Sequence, residues 1–287
     1  MQEKKRGRTH SRWLLPAALV LAGAAWFENF TLSTSTVTAA CAALPEAFSG
    51  LRIVQISDLH GRRFDAESRY LLELVRLQSP DLIALTGDLA DEFTDFSMLP
   101  PLLDGLTALA PTFYVTGNHE WVLSREKREA LFSMLDAAGV VRLQNEYRLL
   151  KKGQASIVLA GVDDPNGPYD QKRPAQLVRE IRQSWGRDAY ILMLSHRNDE
   201  LDLWANMGVQ TVLCGHGHGG IVRLPFVGAV FGTHLDLFPD YTAGLYQKGQ
   251  TSMIVSRGLG GSRKLPLRIG NRPEIVTVIL KAESGKV

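Results

Sequence analysis

The sequence predicts an α/β fold, with one domain of mixed strands and helices that follows an N-terminal hydrophobic helix. Three observations predict it. The 287 residues are 45% hydrophobic and 22% charged, which is an ordinary globular composition. Short apolar runs of strand length alternate with longer segments that carry apolar residues at helical spacing. A basic N-terminal run precedes a long uncharged stretch.

The N-terminal segment, residues 1–28, is typical of a targeting sequence. Its cations are Lys4, Lys5, Arg6, Arg8 and Arg12. An uncharged stretch then runs from Trp13 to Phe27, which favours an uncleaved transmembrane signal-anchor with the following domain on the extracytoplasmic side. This stretch is shorter than the roughly 20 residues of a perpendicular span. The small residues at 22–25 leave a cleaved signal peptide open.

Charge and cysteine content argue against a nucleic-acid-binding protein and against a disulfide-stabilised one. The net charge of +2 comes partly from the first twelve residues, so the rest of the chain is close to neutral. Binding to a nucleic-acid backbone needs clustered Lys and Arg, so nucleic acid is not an expected partner. Two cysteines do not make a disulfide framework, and Cys214 lies in an apolar run that predicts a buried thiol rather than a bond to Cys41.

The elements follow in order after this segment. The Ser- and Thr-rich stretch from Thr31 to Cys41 predicts an edge strand. Six apolar runs predict buried strands: Leu51–Ser57, Leu82–Thr86, Thr112–Thr116, Ser156–Gly161, Tyr190–Ser195 and Thr211–Cys214. Helices are predicted over Glu67–Leu77 and Arg125–Leu135. Two later runs, Met253–Ser256 and Ile275–Leu280, predict further strands. No linker is evident, so one domain is predicted over residues 31–287.

Five of the apolar runs end in Asp, Asn or His. The residues concerned are Asp58 and His60, Asp88 and Asp91, Asn118 and His119, His196, and His216 and His218. The carboxyl ends of strands converge on the ligand crevice in open α/β sheets, so these side chains are expected to meet. Each element alone is a common turn sequence. Five in this order indicate a metal site. Outside the motifs, His10 lies in the basic tail, and His234 is interpreted as structural or as a neighbour of the ligands.

Together, Asp-x-His, Gly-Asp-x-x-Asp, Gly-Asn-His-Glu, a separate His and Gly-His-x-His resemble the signatures of the calcineurin-like metallophosphoesterase family. The resemblance covers residues 50–280 and implies a four-layer sandwich, in which two packed mixed β-sheets are flanked by helices. The stretches after His218 and around Arg257 resemble the membrane-anchored bacterial YkuE-like branch, some members of which are assigned to UDP-diacylglucosamine pyrophosphatase chemistry. Gly217 and Ile221 depart from the Thr and Gln expected in that branch.

The resemblance also implies a ligand set for two divalent metal ions. Asp58, His60, Asp88 and His218 would hold one ion, and Asp88 would bridge to a second ion completed by Asn118, His196 and His216. Carboxylate, amide and imidazole ligands suit Mn²⁺, Fe or Zn²⁺. A water bridging the ions would supply the attacking hydroxide. His119 would face the leaving group as general acid, and Asp91 would pair with His119.

The sequence leaves alternatives open for the residues that contact the substrate. Arg62, Arg63 and Arg197 each follow a motif and could bind phosphate, or could be solvated surface residues. Glu120 is interpreted as a loop-stabilising carboxylate. The apolar Ile221–Phe231 run could line an acyl-chain groove or form an ordinary core hairpin.

The predicted function is a metal-dependent phosphodiesterase or pyrophosphatase that hydrolyses a phosphate ester, which could be lipid-linked. One alternative is a broad phosphomonoesterase or nucleotidase, because the same motifs serve both chemistries. The other alternative is a catalytically silent metal-binding scaffold. Such a scaffold would be expected to lack some ligands, whereas all the ligands implied by the resemblance are in this sequence. Protein phosphatase activity is less favoured because of the anchor and the predicted export. The oligomeric state is not predicted.

Overall fold

A computed structural model describes residues 11–233, 235–261 and 268–283. The basic residues of the first ten positions, His10 and His234 lie outside the described residues. The described helices are α1 (Ser11–Phe30), α2 (Arg69–Leu77), α3 (Leu99–Leu109), α4 (Asn118–Val122), α5 (Arg125–Ala137), α6 (Pro174–Trp185) and α7 (Leu201–Asn206). Short 3₁₀ turns lie at Glu46–Phe48 and Phe96–Met98.

The described strands form two large sheets and one hairpin. The first sheet contains β1 (Ser33–Cys41), β2 (Arg52–Ile56), β3 (Leu82–Thr86), β4 (Thr112–Val115), β5 (Val141–Arg142) and β14 (Glu274–Ala282). The second contains β6 (Glu146–Lys152), β7 (Ala155–Gly161), β8 (Ile191–Leu194), β9 (Thr211–Cys214), β12 (Gly244–Lys248) and β13 (Thr251–Val255). The hairpin pairs β10 (Val222–Leu224) with β11 (Gly228–Phe231).

Both large sheets are mainly parallel. The order of the first is β1-β14-β2-β3-β4-β5, in which only the β14–β2 pair is antiparallel. The order of the second is β12-β13-β9-β8-β7-β6, with antiparallel pairs at its two edges. Parallel strands place their carboxyl ends at one edge of a sheet, and this arrangement collects the motif residues.

Three apolar cores make a four-layer sandwich. The central core lies between the sheets, where Ile53 and Phe113 of the first sheet pack with Leu192 and Leu213 of the second. A second core packs α2, α3 and α5 against the outer face of the first sheet. A third packs α6 and α7 against the outer face of the second. Strands buried on both faces explain why their sequences are continuous apolar runs rather than alternating ones.

The structure agrees with the predicted strands and with the two predicted helices to within a few residues. Strand β1 is an edge strand, as the Ser- and Thr-rich sequence predicts. Helices α3, α4, α6 and α7 were not predicted. Pro100 and Pro101 lie in the first turn of α3 and Pro174 opens α6, at positions where a helix tolerates proline. Cys41 and Cys214 are both buried free thiols.

Helix α1 occupies the predicted N-terminal segment and includes Pro16. Within the described residues, no helix combines the length and the hydropathy that a membrane crossing requires. The transmembrane signal-anchor predicted from the sequence is therefore not supported. The last turn of α1 is fixed to the domain, because the side-chain Nδ2 of Asn29 donates to the carbonyl of Arg268 at 3.0 Å and the Arg268 N–H donates to Asn29 Oδ1 at 2.8 Å.

Candidate metal centre

The carboxyl ends of five parallel strands deliver the motif residues to one place. Strands β2, β3 and β4 of the first sheet end before Asp58, Asp88 and Asn118. Strands β8 and β9 of the second sheet end before His196 and His216. Both sheets therefore contribute ligands, and the site lies where their carboxyl ends meet.

Left-handed backbone is common among these residues. The φ angles are positive at Asp58 (50°), His60 (48°), Asp88 (54°), His216 (66°) and His218 (49°). Such a conformation costs roughly 1 kcal/mol or more for a residue with a side chain, and it persists only where surrounding contacts fix it. Here it turns the chain sharply after each strand, so that a side chain at the strand end points into the site.

Two glycines allow the turns to pack closely. Gly87 has φ +88°, and a Cβ atom there would lie 2.6 Å from the backbone nitrogen of Gly117 and from Nδ1 of His196. A Cβ atom on Gly215 would overlap the side chains of Ser57 and Asp58. A larger residue at either position would displace a ligand. This steric limit explains why glycine precedes the ligand in the Gly-Asp and Gly-His motifs.

Asp88 occupies the middle of the cluster. Its Oδ2 atom lies 3.2 Å from Nε2 of His196 and 3.6 Å from Nε2 of His60. His196 is in turn 3.2 Å from Oδ1 of Asn118 and 3.2 Å from Nδ1 of His216. The ligand atoms of Asp88, His196 and His216 all lie within 4.8 Å of one another.

A second group lies on the other side of Asp88. The ligand atoms of Asp58, His60 and His218 lie within 4.8 Å of one another, with Nε2 of His218 3.7 Å from Oδ1 of Asp58. The rings of His60 and His218 are stacked at 5.0 Å. A third group, His60, Asp88 and His119, shares residues with both, and its ligand atoms also lie within 4.8 Å of one another. These overlapping groups form a cluster that could bind a dinuclear metal centre.

The residues present fit metal ions. Both ring nitrogens of His60 and Nδ1 of His218 are buried, and none has a hydrogen-bond partner among the described residues. A buried polar atom without a partner costs about 1–3 kcal/mol. Carboxylate oxygens and imidazole nitrogens are the ligand types that Mn²⁺, Fe and Zn²⁺ accept. A bound cation would satisfy one ring nitrogen of each histidine and leave Nδ1 of His60 to Asp91.

Burial governs the electrostatics of the cluster. It raises the pKa of Asp58 to about 6 and lowers the pKa of His60 to about 4. Burial also lowers the pKa of His218 well below its usual value. Burial opposes ionisation of Asp88, but the adjacent His196 imidazole more than offsets it and holds the pKa of Asp88 below its ordinary value. The lowered pKa values keep His60 and His218 neutral, as metal binding needs. At His196 burial is outweighed by the charge of Asp88, which raises the pKa of His196 to about 10, so a metal ion must displace a proton from His196.

A known protein family carries the same motif residues as this site. A model of the family described as "Calcineurin-like phosphoesterase" matches residues 51–220, which is more than half of the chain and includes every motif residue from Asp58 to His218. The chain is a calcineurin-like phosphoesterase. It is therefore a hydrolase that acts on phosphoric ester bonds.

Individual proteins resemble this phosphoesterase over most of its length. "Uncharacterized metallophosphoesterase YkuE" of Bacillus subtilis (strain 168) is 30% identical over 267 residues, covering 90% of this chain and 89% of that protein. "Phosphodiesterase YaeI" of Escherichia coli (strain K12) is 31% identical over 234 residues, covering 80% of this chain and 82% of that protein. "Transmembrane protein with metallophosphoesterase domain" of Danio rerio is 26% identical over 83% of this chain and 55% of that protein.

His119 and Asp91 of this phosphoesterase both lie at the cluster, but they do not contact each other in the way the sequence predicted. The His119 ring packs edge-on against His60 at 4.7 Å, and its backbone N–H donates to Asp88 Oδ1 at 2.9 Å. The Asp91 carboxylate lies 3.8 Å from Nδ1 of His60, and Thr94 Oγ1 donates to it at 3.0 Å. The imidazole recorded beside Asp91 is thus His60, whereas the sequence predicted a pairing with His119.

The three arginines have separate surroundings. Arg197 lies at the cluster, with Nη1 3.0 Å from Nε2 of His216. Arg62 donates to the carbonyl of Asn29 and packs over the rings of Phe30 and Phe64. Arg63 donates to Asp95 and Ser97 at the surface. Arg197 is therefore the one whose recorded contacts include a ligand of the cluster.

Several positioning residues were absent from the predicted site. Asp164 binds Arg197, and Arg268 and Asn271 donate to the carbonyl of His218 at 3.3 and 2.8 Å. Asp164 follows the end of β7, so the strand-end rule that identified the ligands also applied to it. Arg268 and Asn271 follow no strand end, and the sequence offers no signal for them.

Glu120 stabilises the turn that carries Asp88, as the sequence analysis anticipated. Its buried carboxylate accepts from the backbone N–H groups of Gly117 at 2.7 Å, Asp88 at 3.0 Å and Leu89 at 2.7 Å. Burial raises the pKa of Glu120 to about 8, and the charge of Asp88 adds to the shift. These bonds hold the second and third motifs in a fixed relation.

Proposed function

We propose that this phosphoesterase is a two-metal phosphodiesterase or pyrophosphatase. The observation that carries the proposal is that Asp88 Oδ2 lies 3.2 Å from Nε2 of His196 and 3.6 Å from Nε2 of His60, so one carboxylate contacts both ligand groups. The Escherichia coli relative is named a phosphodiesterase, which supports the choice of a diester over a monoester.

In this proposal Asp58, His60, Asp88 and His218 hold one ion, and Asp88, Asn118, His196 and His216 hold the other. The ions are Mn²⁺, Fe or Zn²⁺, and when bound they acidify water and neutralise charge on the phosphoryl oxygens. Asp91, whose Oδ2 lies 3.8 Å from Nδ1 of His60, would act on the first group by accepting a hydrogen bond from that N–H, which orients the ring and raises its basicity.

His119 is the proposed general acid. It projects from the start of α4, and the bond from its backbone N–H to Asp88 fixes it beside the cluster. Contact with the His60 ring keeps its imidazole at the edge of the ligand group. Its proton is delivered to the ester oxygen that leaves phosphorus. No protein nucleophile is required.

Arg197 is the proposed phosphate-binding residue. Asp164 holds its Nε and Nη2 edge, which leaves Nη1 directed at the cluster. A cleft of about 280 Å³ beside Arg197 is also lined by Lys172 and Arg173. The same cleft is lined by Asp163, Asp164 and Glu200. Lys172 pairs with Glu180 at 2.7 Å, so Arg197 is the cation that the proposal assigns to the phosphate.

The substrate could be lipid-linked, and the predicted placement of the domain on the extracytoplasmic side of a membrane remains part of this proposal. It is motivated by the basic N-terminal sequence followed by the uncharged stretch Trp13–Phe27. A reporter that is active only outside the cytoplasm, fused after residue 287, would be silent if the domain stayed in the cytoplasm.

The test of the activity uses the full chain. The protein is stripped with a chelator, reloaded with Mn²⁺, Fe²⁺ or Zn²⁺ in turn, and assayed on an activated phosphodiester and on the matching monoester. We expect two ions per chain and metal-restored cleavage that favours the diester. The Asp88→Asn variant, which is expected to lose both ions, is treated in parallel and controls for background cleavage by unbound metal.

Two outcomes would reject parts of the proposal. Faster cleavage of the monoester would establish a phosphomonoesterase or nucleotidase instead. Two bound ions with no cleavage of either ester, of a nucleotide or of a lipid-linked diphosphate would favour the metal-binding scaffold.

A further inference from the structure

The hairpin β10–β11 and the turn after it expose an unusual amount of apolar surface. Six large apolar side chains between residues 224 and 238 leave 49% to 109% of their surface in solvent. They are Leu224, Phe226, Val227, Leu235, Leu237 and Phe238. Large exposed apolar groups that are contiguous, rather than scattered, mark an interaction site.

The backbone holds these side chains on one projecting element. Strands β10 and β11 pair antiparallel, and Phe226 and Val227 lie at the turn between them. The following turn folds back on β11, where Phe231 bridges to Leu237 and the Phe238 N–H donates to the Val230 carbonyl at 3.0 Å. We call residues 222–233 and 235–238 the apolar hairpin.

Helix α1 joins this hairpin through two consecutive residues. Asn29 at the end of α1 pairs with the backbone of Arg268. The next residue, Ile269, accepts at 2.8 Å from the N–H of Arg223 in β10 and is itself 47% exposed. The end of α1 and the base of the apolar hairpin are therefore adjacent.

Helix α1 also exposes apolar side chains, among them Leu19, Val20, Trp26, Phe27 and Phe30. No polar side chain interrupts its sequence between Trp13 and Phe27. The described side chains of α1 from Pro16 to Phe27 are all apolar, and hydrocarbon covers more of such a surface than a protein groove, which covers one face only. A second protein would leave much of such a helix in water.

Two arginines stand where α1 meets the domain. The guanidinium of Arg272 lies over the Phe27 ring at 4.5 Å, and that of Arg62 lies over the Phe30 ring at 5.5 Å. Aromatic rings with adjacent cations are typical of the boundary between hydrocarbon and headgroups. The cations complement the phosphates of lipid headgroups.

We propose that the apolar hairpin and α1 form one surface that binds a phospholipid bilayer and holds the metal cluster beside it. The cluster is close to this surface because Arg268 donates to the carbonyl of His218 as well as pairing with Asn29. The surface does not depend on which phosphate ester the cluster cleaves.

The test is co-sedimentation of the full chain with phosphatidylcholine vesicles, with and without phosphatidylglycerol. We compare the unchanged protein with Phe226→Asp/Val227→Asp in the hairpin and with Leu19→Asp/Val20→Asp in α1. The control is Leu77→Asp, an equally exposed apolar side chain at the end of α2. Each double variant is expected to lower the vesicle partition coefficient at least about tenfold, and the control to leave it unchanged.

Phosphatidylglycerol is expected to strengthen binding of the unchanged protein, and Arg272→Gln to reduce that gain. Metal content and cleavage of a soluble activated ester should be the same in the hairpin variant as in the unchanged protein, so failure of the surface is distinguishable from failure of the active site. Equal sedimentation of all variants, or no binding of the unchanged protein, would overturn the proposal. So would a vesicle-free dimer that the hairpin variant converts to monomer, because the surface would then bind a second copy.

Discussion

The guanidinium of Arg197 binds the buried carboxylate of Asp164 through two parallel bonds, of 2.6 Å from Nε and 3.0 Å from Nη2. This fork-to-carboxylate geometry fixes the plane of the arginine, which a single contact would not do. Asp164 also accepts from the N–H of Asn166 at 2.9 Å, so it is held from a second direction. The pair places one edge of Arg197 at the metal cluster.

Arg197→Ala should therefore weaken substrate binding more than it slows the chemical step. A charge-assisted bond contributes about 1.5–3 kcal/mol, which predicts a KM roughly 10- to 100-fold higher. Steady-state kinetics on an activated diester measure this. Arg63→Ala is the matched control, because Arg63 pairs with the exposed Asp95 and should change KM less than about twofold. Equal effects of the two variants would remove Arg197 from the substrate site.

Asp88 and His119 should separate metal binding from proton transfer. Asp88→Asn removes the charge shared by both ligand groups, so both ions should be lost, as measured by metal analysis of the purified protein. His119→Ala should keep both ions and lower kcat about 10²- to 10⁴-fold. The His119 loss should be smaller for an ester with an activated leaving group, which needs no acid. The same metal loss in both variants would contradict this division of roles.

Asp91→Asn tests whether this carboxylate serves His60 or His119. Its position 3.8 Å from Nδ1 of His60 predicts that metal affinity falls about 10- to 100-fold. Titration of the stripped protein with the metal measures the affinity. Asp95→Asn is the control, since Asp95 lies in the next turn and is exposed. An unchanged metal affinity with a shifted pH–rate profile would instead place Asp91 on His119.

Glu200 should make stability depend on pH. Burial raises its pKa to about 7, with the charge of Asp199 adding to the shift. Between its ordinary pKa and 7 the folded state binds more protons than the unfolded state, so stability falls as pH rises through that window. Glu200→Gln removes the titration. The variant should match the parent near pH 4 and be more stable by about 1–2 kcal/mol near pH 8, a figure reduced for partial exposure.

Urea unfolding of the metal-free protein at both pH values measures this difference. A difference that is constant with pH would show that the effect of Glu200→Gln comes from packing and not from titration.

Much of this site was determined by the sequence. Strands that are buried on both faces are continuous apolar runs, and polar residues follow where the buried strand ends. The Asp, Asn and His residues at those ends, and their order along the chain, could therefore be identified from the sequence. The α/β class was predictable because apolar runs alternate with segments of helical spacing, such as α2 between β2 and β3.

Only the tertiary structure decided how these pieces meet. Local periodicity does not say which strands share a sheet, so the division into two sheets was inferred from resemblance alone. The left-handed turns at Asp58, Asp88 and His216 depend on contacts across the fold, such as those of Glu120. The partner of Asp91, the separate surroundings of Arg62, Arg63 and Arg197, and the junction of α1 with the apolar hairpin join residues far apart in the chain. Long-range packing sets such contacts, and a pattern read along one segment carries no information about its distant neighbours.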